Sequence, residues 1–226
     1  MPAGRLTFLS ALAACFAFFA AVVFVSDSAF ARKHLPANYY ALALSWSPTY
    51  CGSNAGRNDR QQCAPGRRYA FVVHGLWPQY ERGWPEFCDT REGWVSEDNI
   101  EEMLPVMPSR KLVIHEWKKH GSCSGLGQDA YFDLTQELFE KVRIPARFLS
   151  PNDAVLTTPG EIVNDFIKTN KNLRPEMVSV QCNSRGERAR LTELRICFDL
   201  EGAFMDCGQN ERRQCETSSI VLPPVR

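Results

Sequence analysis

The cysteines constrain the fold of this chain more than any other feature of its sequence. Cys15 is one of nine and lies in an apolar N-terminal segment. In an exported protein, an even set of cysteines predicts a framework of disulfides. A zinc ribbon would need short C-x-x-C steps, and no two of the remaining cysteines are that close. The sequence therefore predicts four disulfides whose pairing the spacing alone leaves open, among Cys51, Cys63, Cys88, Cys123, Cys182, Cys197, Cys207 and Cys215.

The N-terminal segment has the features of a secretory signal peptide. Arg5 precedes an almost unbroken apolar run over residues 7–25, and Ala29 and Ala31 then form an Ala-x-Ala cleavage site. An uncleaved anchor is the alternative, because a run of this length could just span a bilayer. The small residues favour cleavage. We therefore expect residues 1–31 to be removed, and a chain of residues 32–226 to be exported to the periplasm or the medium without a membrane attachment.

The charge balance limits how this chain could bind a polyanion. It carries 26 basic and 26 acidic residues, and the predicted signal removes one of each, so the net charge stays at zero. A protein that grips nucleic acid along an extended surface is expected to be basic. Any nucleic-acid function must therefore depend on a local site.

The sequence pattern predicts one α+β domain. Residues 39–51, 68–78, 176–182 and 191–200 have the composition of strands, whereas residues 96–142 are helical in character. One helix face is formed by Tyr131, Leu134, Leu138 and Val142. Because strands and helices are segregated in blocks, we expect an antiparallel sheet with flanking helices.

Three further segments have clear local signals. Thr158 can cap a helix that starts at Pro159, with Glu161 completing a capping box. A polar loop is predicted at residues 52–66. Residues 204–215 have the features of a hairpin or loop that cysteines hold in place.

The segment HEWKKHG, residues 115–121, resembles a zinc-protease helix but has the wrong spacing. A zincin places two histidines four residues apart, whereas His115 and His120 are five apart and diverge by about 140° on a regular helix. By contrast, Glu116, Lys119 and His120 share one face. An acid, a cation and an imidazole together suit chemistry in which negative charge develops on oxygens. The alternative is a solvated helix face with an ordinary acid–base pair.

A second histidine motif strengthens the catalytic interpretation. In FVVHGLWPQ, His74 is predicted at the end of an apolar strand and is followed at once by Gly75, which lets the backbone turn or approach a ligand. Trp77 offers a flat surface for stacking a base, although a tryptophan there could equally be core. Together the two motifs predict a site with two imidazoles, one neutral and one charged, that needs no metal or other cofactor.

These two motifs give the chain a family resemblance. HGLWP at residues 74–78 and HEWKKHGSC at residues 115–123 resemble the paired motifs of the ribonuclease T2 family, and LSWSPTYC at residues 44–51 is similar to the family's first strand. The C-terminal third is similar mainly through its cysteines. The resemblance implies an enzyme that cleaves single-stranded RNA, and not DNA, to 2′,3′-cyclic phosphates and then to 3′-phosphates. We expect it to act as a monomer.

The resemblance also implies roles for individual residues. His120 would take the proton of the 2′-hydroxyl, and His74 would protonate the departing 5′-oxygen. Glu116 and Lys119 would stabilise the pentacoordinate phosphorane. His115 would hold phosphate, and Trp77 would help to form the base pocket. Many relatives have an acidic or amide residue after the proline, and here it is Gln79, whose amide both donates and accepts. We therefore expect low base specificity.

The disulfide pairing is predicted on two grounds. The family pattern suggests Cys88–Cys123 and Cys182–Cys215, and closeness in sequence suggests Cys51–Cys63 and Cys197–Cys207.

Two other functional classes remain as alternatives. One is a secreted metal-dependent hydrolase, which the histidine spacing disfavours. The other is a binding protein that has lost catalysis, which the full set of ionisable residues disfavours.

Overall fold

The structure is a computed structural model and describes residues 37–183, 189–212 and 215–226. The predicted signal peptide, residues 1–31, lies outside the described residues. The described residues belong to one compact unit. No helix in these three ranges is both long enough and apolar enough to cross a membrane.

A mixed β-sheet forms the centre of the described chain. Its strands are β1 (Tyr39–Trp46), β2 (Phe71–Gln79), β3 (Val155–Thr157), β4 (Val178–Asn183), β5 (Ala189–Phe198) and β6 (Ile220–Leu222). They follow the order β2-β1-β5-β6-β3, and β4 also pairs with β5. All pairs are antiparallel except β5 with β6. The α+β class is confirmed, but the predicted antiparallel sheet contains this one parallel pair.

The helices flank the sheet. They are α1 (Ser47–Cys51), α2 (Arg60–Cys63), α3 (Glu97–Met103), α4 (Arg110–Lys119), α5 (Gln128–Glu140) and α6 (Pro159–Thr169). The strand predicted over residues 39–51 is too long, because α1 begins at Ser47. Pro48 occupies its first turn, where the missing N–H of proline costs nothing. The loop predicted at residues 52–66 likewise contains α2.

The core lies between the helices and one face of the sheet. The predicted face of α5 is confirmed: Tyr131, Leu138 and Val142 are buried and Leu134 packs against them. The capping box at Thr158 is also present and starts α6. Alternate residues of β1 face the core, whereas Tyr39 and Ala41 form a separate small cluster with Cys197.

Four disulfides join the described parts of the chain. They are Cys51–Cys63, Cys88–Cys123, Cys182–Cys215 and Cys197–Cys207. These are the four pairs that the sequence analysis expects. Cys88–Cys123 links the segment that follows β2 to the turn that follows α4, so it connects the two histidine motifs.

Candidate active site

A bulge in β2 places His74. Ala43 pairs with Gly75 and Leu44 pairs with Val73, so His74 is the extra residue between them. A β-bulge redirects the side chain of the inserted residue and is common beside active sites. The side chain of His74 is 34% exposed and lines a cleft.

The α4 helix brings a buried acid against this bulge. Glu116 is 1% exposed, accepts a hydrogen bond from the indole N–H of Trp77 (2.8 Å), and lies 3.6 Å from His74 Nε2. A Cβ atom at position 75 would overlap both the Glu116 carboxylate and the Trp77 indole. Gly75 is therefore what allows the helix to approach the strand this closely.

The end of α4 positions the second imidazole. The helix ends at Lys119, and His120 follows it with φ −119° and ψ −50°. His120 is thus the C-cap of α4, its N–H donates to the Glu116 carbonyl (2.9 Å), and it lines the cleft together with His115. The His120 ring is buried and stacks on Trp77, with 5.1 Å between ring centroids and 28° between planes.

The two imidazoles have opposite tendencies to hold a proton. Burial and the charge of Lys119 lower the pKa of His120 to about 3, so this ring is neutral near pH 7. Burial also lowers the pKa of His74, but its hydrogen bond to Glu193 and the charge of Glu116 outweigh that effect and raise it. The pKa values of the two imidazoles are thus shifted in opposite directions, so His120 is the ring suited to take a proton and His74 the ring suited to give one.

Glu116 and His115 also have shifted pKa values. Burial raises the pKa of Glu116 to about 7, against the opposing effects of His74 and the Trp77 hydrogen bond. Burial and the charge of Lys119 lower the pKa of His115. The Lys119 side chain is 31% exposed and lines the cleft, and its amine lies 3.9 Å from the carboxylate of Glu86.

The cleft has a volume of about 230 Å³ and brings together every site residue predicted from sequence. These residues are His74, Trp77, Gln79, His115, Glu116, Lys119 and His120. Three further residues that the sequence analysis did not identify also line it: Trp84, Arg195 and Asn210.

A fourth unpredicted residue, Glu193, bonds directly to His74. Glu193 Oε1 lies 2.5 Å from His74 Nδ1. Glu193 and Arg195 stand two residues apart in an otherwise largely apolar strand, β5, so they share one face. Two charged residues on one face of a largely apolar strand could have indicated a functional role for that face. Nothing in the sequence indicated that the face contacts His74.

Gln79 is buried and held by a neighbouring amide. Its Oε1 accepts a hydrogen bond of 3.0 Å from Asn210 Nδ2, which also bonds to the carbonyl groups of Tyr80 and Gly83. Asn210 therefore fixes both Gln79 and the turn beside the cleft.

The fold and the cleft define an α+β protein with a two-imidazole site for acid–base chemistry. The family model described as "Ribonuclease T2 family" matches residues 37–207. The chain is 47% identical over 189 residues to a ribonuclease of Aeromonas hydrophila, covering 82% of this chain and 83% of that one. This chain therefore belongs to the ribonuclease T2 family, and it is a ribonuclease.

Solved structures agree with this assignment. An RNase-related protein from Calystegia sepium shares the fold, with a TM-score of 0.67 at 22% identity, covering 85% of this chain and all of that one. RNase NT in complex with 5′-AMP has a TM-score of 0.62 at 26% identity, covering 84% of this chain and all of that one.

Proposed function

We propose that this protein cleaves single-stranded RNA by metal-independent transphosphorylation. The 2′-oxygen attacks the adjacent phosphorus, the bond from phosphorus to the 5′-oxygen breaks, and a 2′,3′-cyclic phosphate is released. Water then opens the cyclic product to a 3′-phosphate. The observation that carries the proposal is a pair of imidazoles that both contact the Trp77 ring and whose pKa values are shifted in opposite directions.

The protonation states assign the two proton transfers. His120 is neutral, so it takes the proton of the 2′-hydroxyl. The pKa of His74 is raised, so this ring holds its proton more readily and gives it to the departing 5′-oxygen. DNA lacks the attacking hydroxyl and is not a substrate.

The remaining cleft residues stabilise charge on the phosphoryl oxygens. Lys119 supplies a fixed positive charge. Glu116, with its pKa near 7, can carry a proton and donate a hydrogen bond to a phosphorane oxygen. His115, on the same helix, holds the phosphate as a hydrogen-bond donor.

Base recognition in the cleft is weak. The Trp77 ring already contacts His120 and the guanidinium of Arg195, 4.7 Å from the ring centroid. Trp84 is 52% exposed and presents a further aromatic surface, and aromatic stacking tolerates every base. The Gln79 oxygen is already bonded to Asn210. We expect kcat/KM on four dinucleotides that differ only in the 5′ base to vary by less than about tenfold, the scale of 1.4 kcal/mol. A variation of about a thousandfold would contradict low base specificity.

The proposal includes export. All eight cysteines outside the predicted signal are paired, and structural disulfides persist in oxidising compartments. We expect a monomeric mature protein of residues 32–226 in the periplasm or the medium. N-terminal sequencing of the exported protein would give Arg32 as the first residue, and a retained Met1 would contradict the proposed cleavage. Light scattering of the purified protein measures its molecular mass and so tests whether it is a monomer.

The experiment that tests the reaction compares RNA and DNA of the same sequence in the presence of excess chelator. We expect RNA to be cut at an unchanged rate and DNA to remain intact. Phosphorus NMR should show the cyclic phosphate before the 3′-phosphate. Loss of activity in chelator, equal cutting of DNA, or 5′-phosphate products would each contradict the proposed reaction.

A further inference from the structure

We propose that Glu193 and Arg195 are positioning residues that hold His74 as a charged imidazolium with Nε2 as its reactive nitrogen. This inference rests on the proposed role of His74 as the general acid. Both residues lie on β5, far from the two histidine motifs in sequence.

The contact between Glu193 and His74 fixes the ring. The carboxylate of Glu193 is 11% exposed, and its Oε1 lies 2.5 Å from His74 Nδ1. An ionised carboxylate only accepts hydrogen bonds, so Nδ1 must carry the proton. The proton that can be transferred is therefore the one on Nε2. A carboxylate that fixes tautomer and orientation is a recurring device beside reactive histidines.

Arg195 in turn fixes Glu193. Its Nε and Nη2 atoms donate to Glu193 Oε2 at 3.0 and 2.9 Å, which leaves Oε1 for His74. Both contacts converge on Oε2, so they anchor one oxygen of the carboxylate while the other faces His74. The same guanidinium packs over the Trp77 ring, so one side chain restrains two residues of the cleft.

A second buried acid lies near Arg195. Glu211 is 1% exposed, and its Oε1 lies 3.8 Å from Arg195 Nη1. The hydroxyl of Tyr39, on β1, donates a hydrogen bond to Glu211. The segment that carries Glu211 is joined to β5 by the Cys197–Cys207 disulfide. Moving the guanidinium would break its contacts with Glu193 and with the Trp77 ring.

The electrostatics separate the two roles. A carboxylate beside His74 favours the imidazolium, whereas the positive charge of Arg195 disfavours it. Glu193 therefore favours the imidazolium through both charge and geometry, whereas Arg195 supports it only through geometry and opposes it through charge. The other titratable or charged groups of the cleft around His74 are Glu116, His115, Lys119 and His120.

The test uses Glu193→Gln, which keeps the shape of the side chain but removes its charge. The alkaline limb of the pH profile of kcat/KM on a ribodinucleotide should move to lower pH by about one to three pH units. Turnover at neutral pH should fall about tenfold or more as His74 loses its proton. On a uridine 3′-(4-nitrophenyl phosphate), whose leaving group needs no proton, turnover should stay near that of the unaltered protein. Asp206→Asn is the matched control, since it removes an exposed carboxylate paired with Arg174 and should leave the limb in place.

Two other variants separate charge from geometry and guard against a folding defect. Glu193→Asp keeps the charge on a shorter side chain, so it should lower turnover and leave the alkaline limb near its original pH. Arg195→Met should also lower turnover without moving the limb to lower pH. The inference would be overturned if the alkaline limb moved equally in Glu193→Gln and Glu193→Asp, or if it moved in neither variant. His74→Ala separates the two proposals, because full activity of that variant on RNA would refute the proposed function itself.

Discussion

Gly75 on β2 lies directly against the carboxylate of Glu116 on α4, and a side chain on residue 75 would overlap Glu116 Oε2. We predict that Gly75→Ala lowers kcat/KM on RNA by about a hundredfold, the scale expected when a small displacement disturbs a reacting site. The added methyl group must displace Glu116, Trp77 or both. Steady-state kinetics on a ribodinucleotide measure the effect.

Gly160→Ala is the matched control for this substitution. Gly160 lies in α6, and an added Cβ there meets only Thr158 Oγ1 at 4.0 Å. Activity should be unchanged, and the free energy of unfolding should rise by up to about 1 kcal/mol, because alanine favours helix more than glycine does. Equal activity of the two variants would show that the Gly75 contact has no catalytic importance.

The pH dependence of kcat/KM should be bell-shaped, with widely separated limbs. His120 acts as a base when neutral, and its pKa is lowered to about 3, so activity should rise well below pH 6.5. His74 acts as an acid when protonated, and its pKa is raised above 6.5, so activity should fall only above that pH. The alkaline limb belongs to the coupled His74 and Glu116 pair. Rates and circular dichroism are measured together, so that acid unfolding is recognised. An acidic limb near pH 6.5 would contradict this account.

The Cys88–Cys123 disulfide should support both stability and activity. It closes a separation of 35 residues between the two histidine motifs. Replacing both cysteines with serine should lower the free energy of unfolding by about 2–5 kcal/mol. It should also lower kcat/KM, because Cys123 follows His120 by three residues. Urea unfolding and kinetics on the folded protein measure the two effects.

The paired variant Cys51→Ser/Cys63→Ser is the control. This disulfide closes a separation of 12 residues, and neither cysteine lines the cleft. Stability should fall while kcat/KM stays unchanged. If both pairs of substitutions lower kcat/KM equally, the link between the histidine motifs has no special role.

The sequence could predict elements whose signals are local. The capping box at Thr158 and the buried face with Tyr131 are each set by side chains within a few turns of one helix. The end of β1 at Trp46 was missed because Ser47 and Pro48 suit the start of a helix as well as the end of a strand. The parallel pairing of β6 with β5 was missed because it depends on how distant segments meet.

The same distinction applies to the candidate site. His74, Glu116 and His120 lie in two compact motifs, so their residue types and spacing indicated a common site. Glu193 joins them through a contact that spans 119 residues, which no local pattern encodes. His115 and His120 both line the cleft although they stand five residues apart, because a cleft of this size can be lined by two residues that do not share one helix face.

The central claim is that His120 is the base and His74 the acid, and substrates with different leaving groups test it most directly. His74→Ala and His120→Ala should each lower turnover on a ribodinucleotide by about a hundredfold or more. A uridine 3′-(4-nitrophenyl phosphate) releases a group that needs no proton. It should restore the activity of His74→Ala and leave His120→Ala impaired. Rescue of His120→Ala instead would reverse the assignment, and equal rescue of both variants, or of neither, would contradict the division of roles.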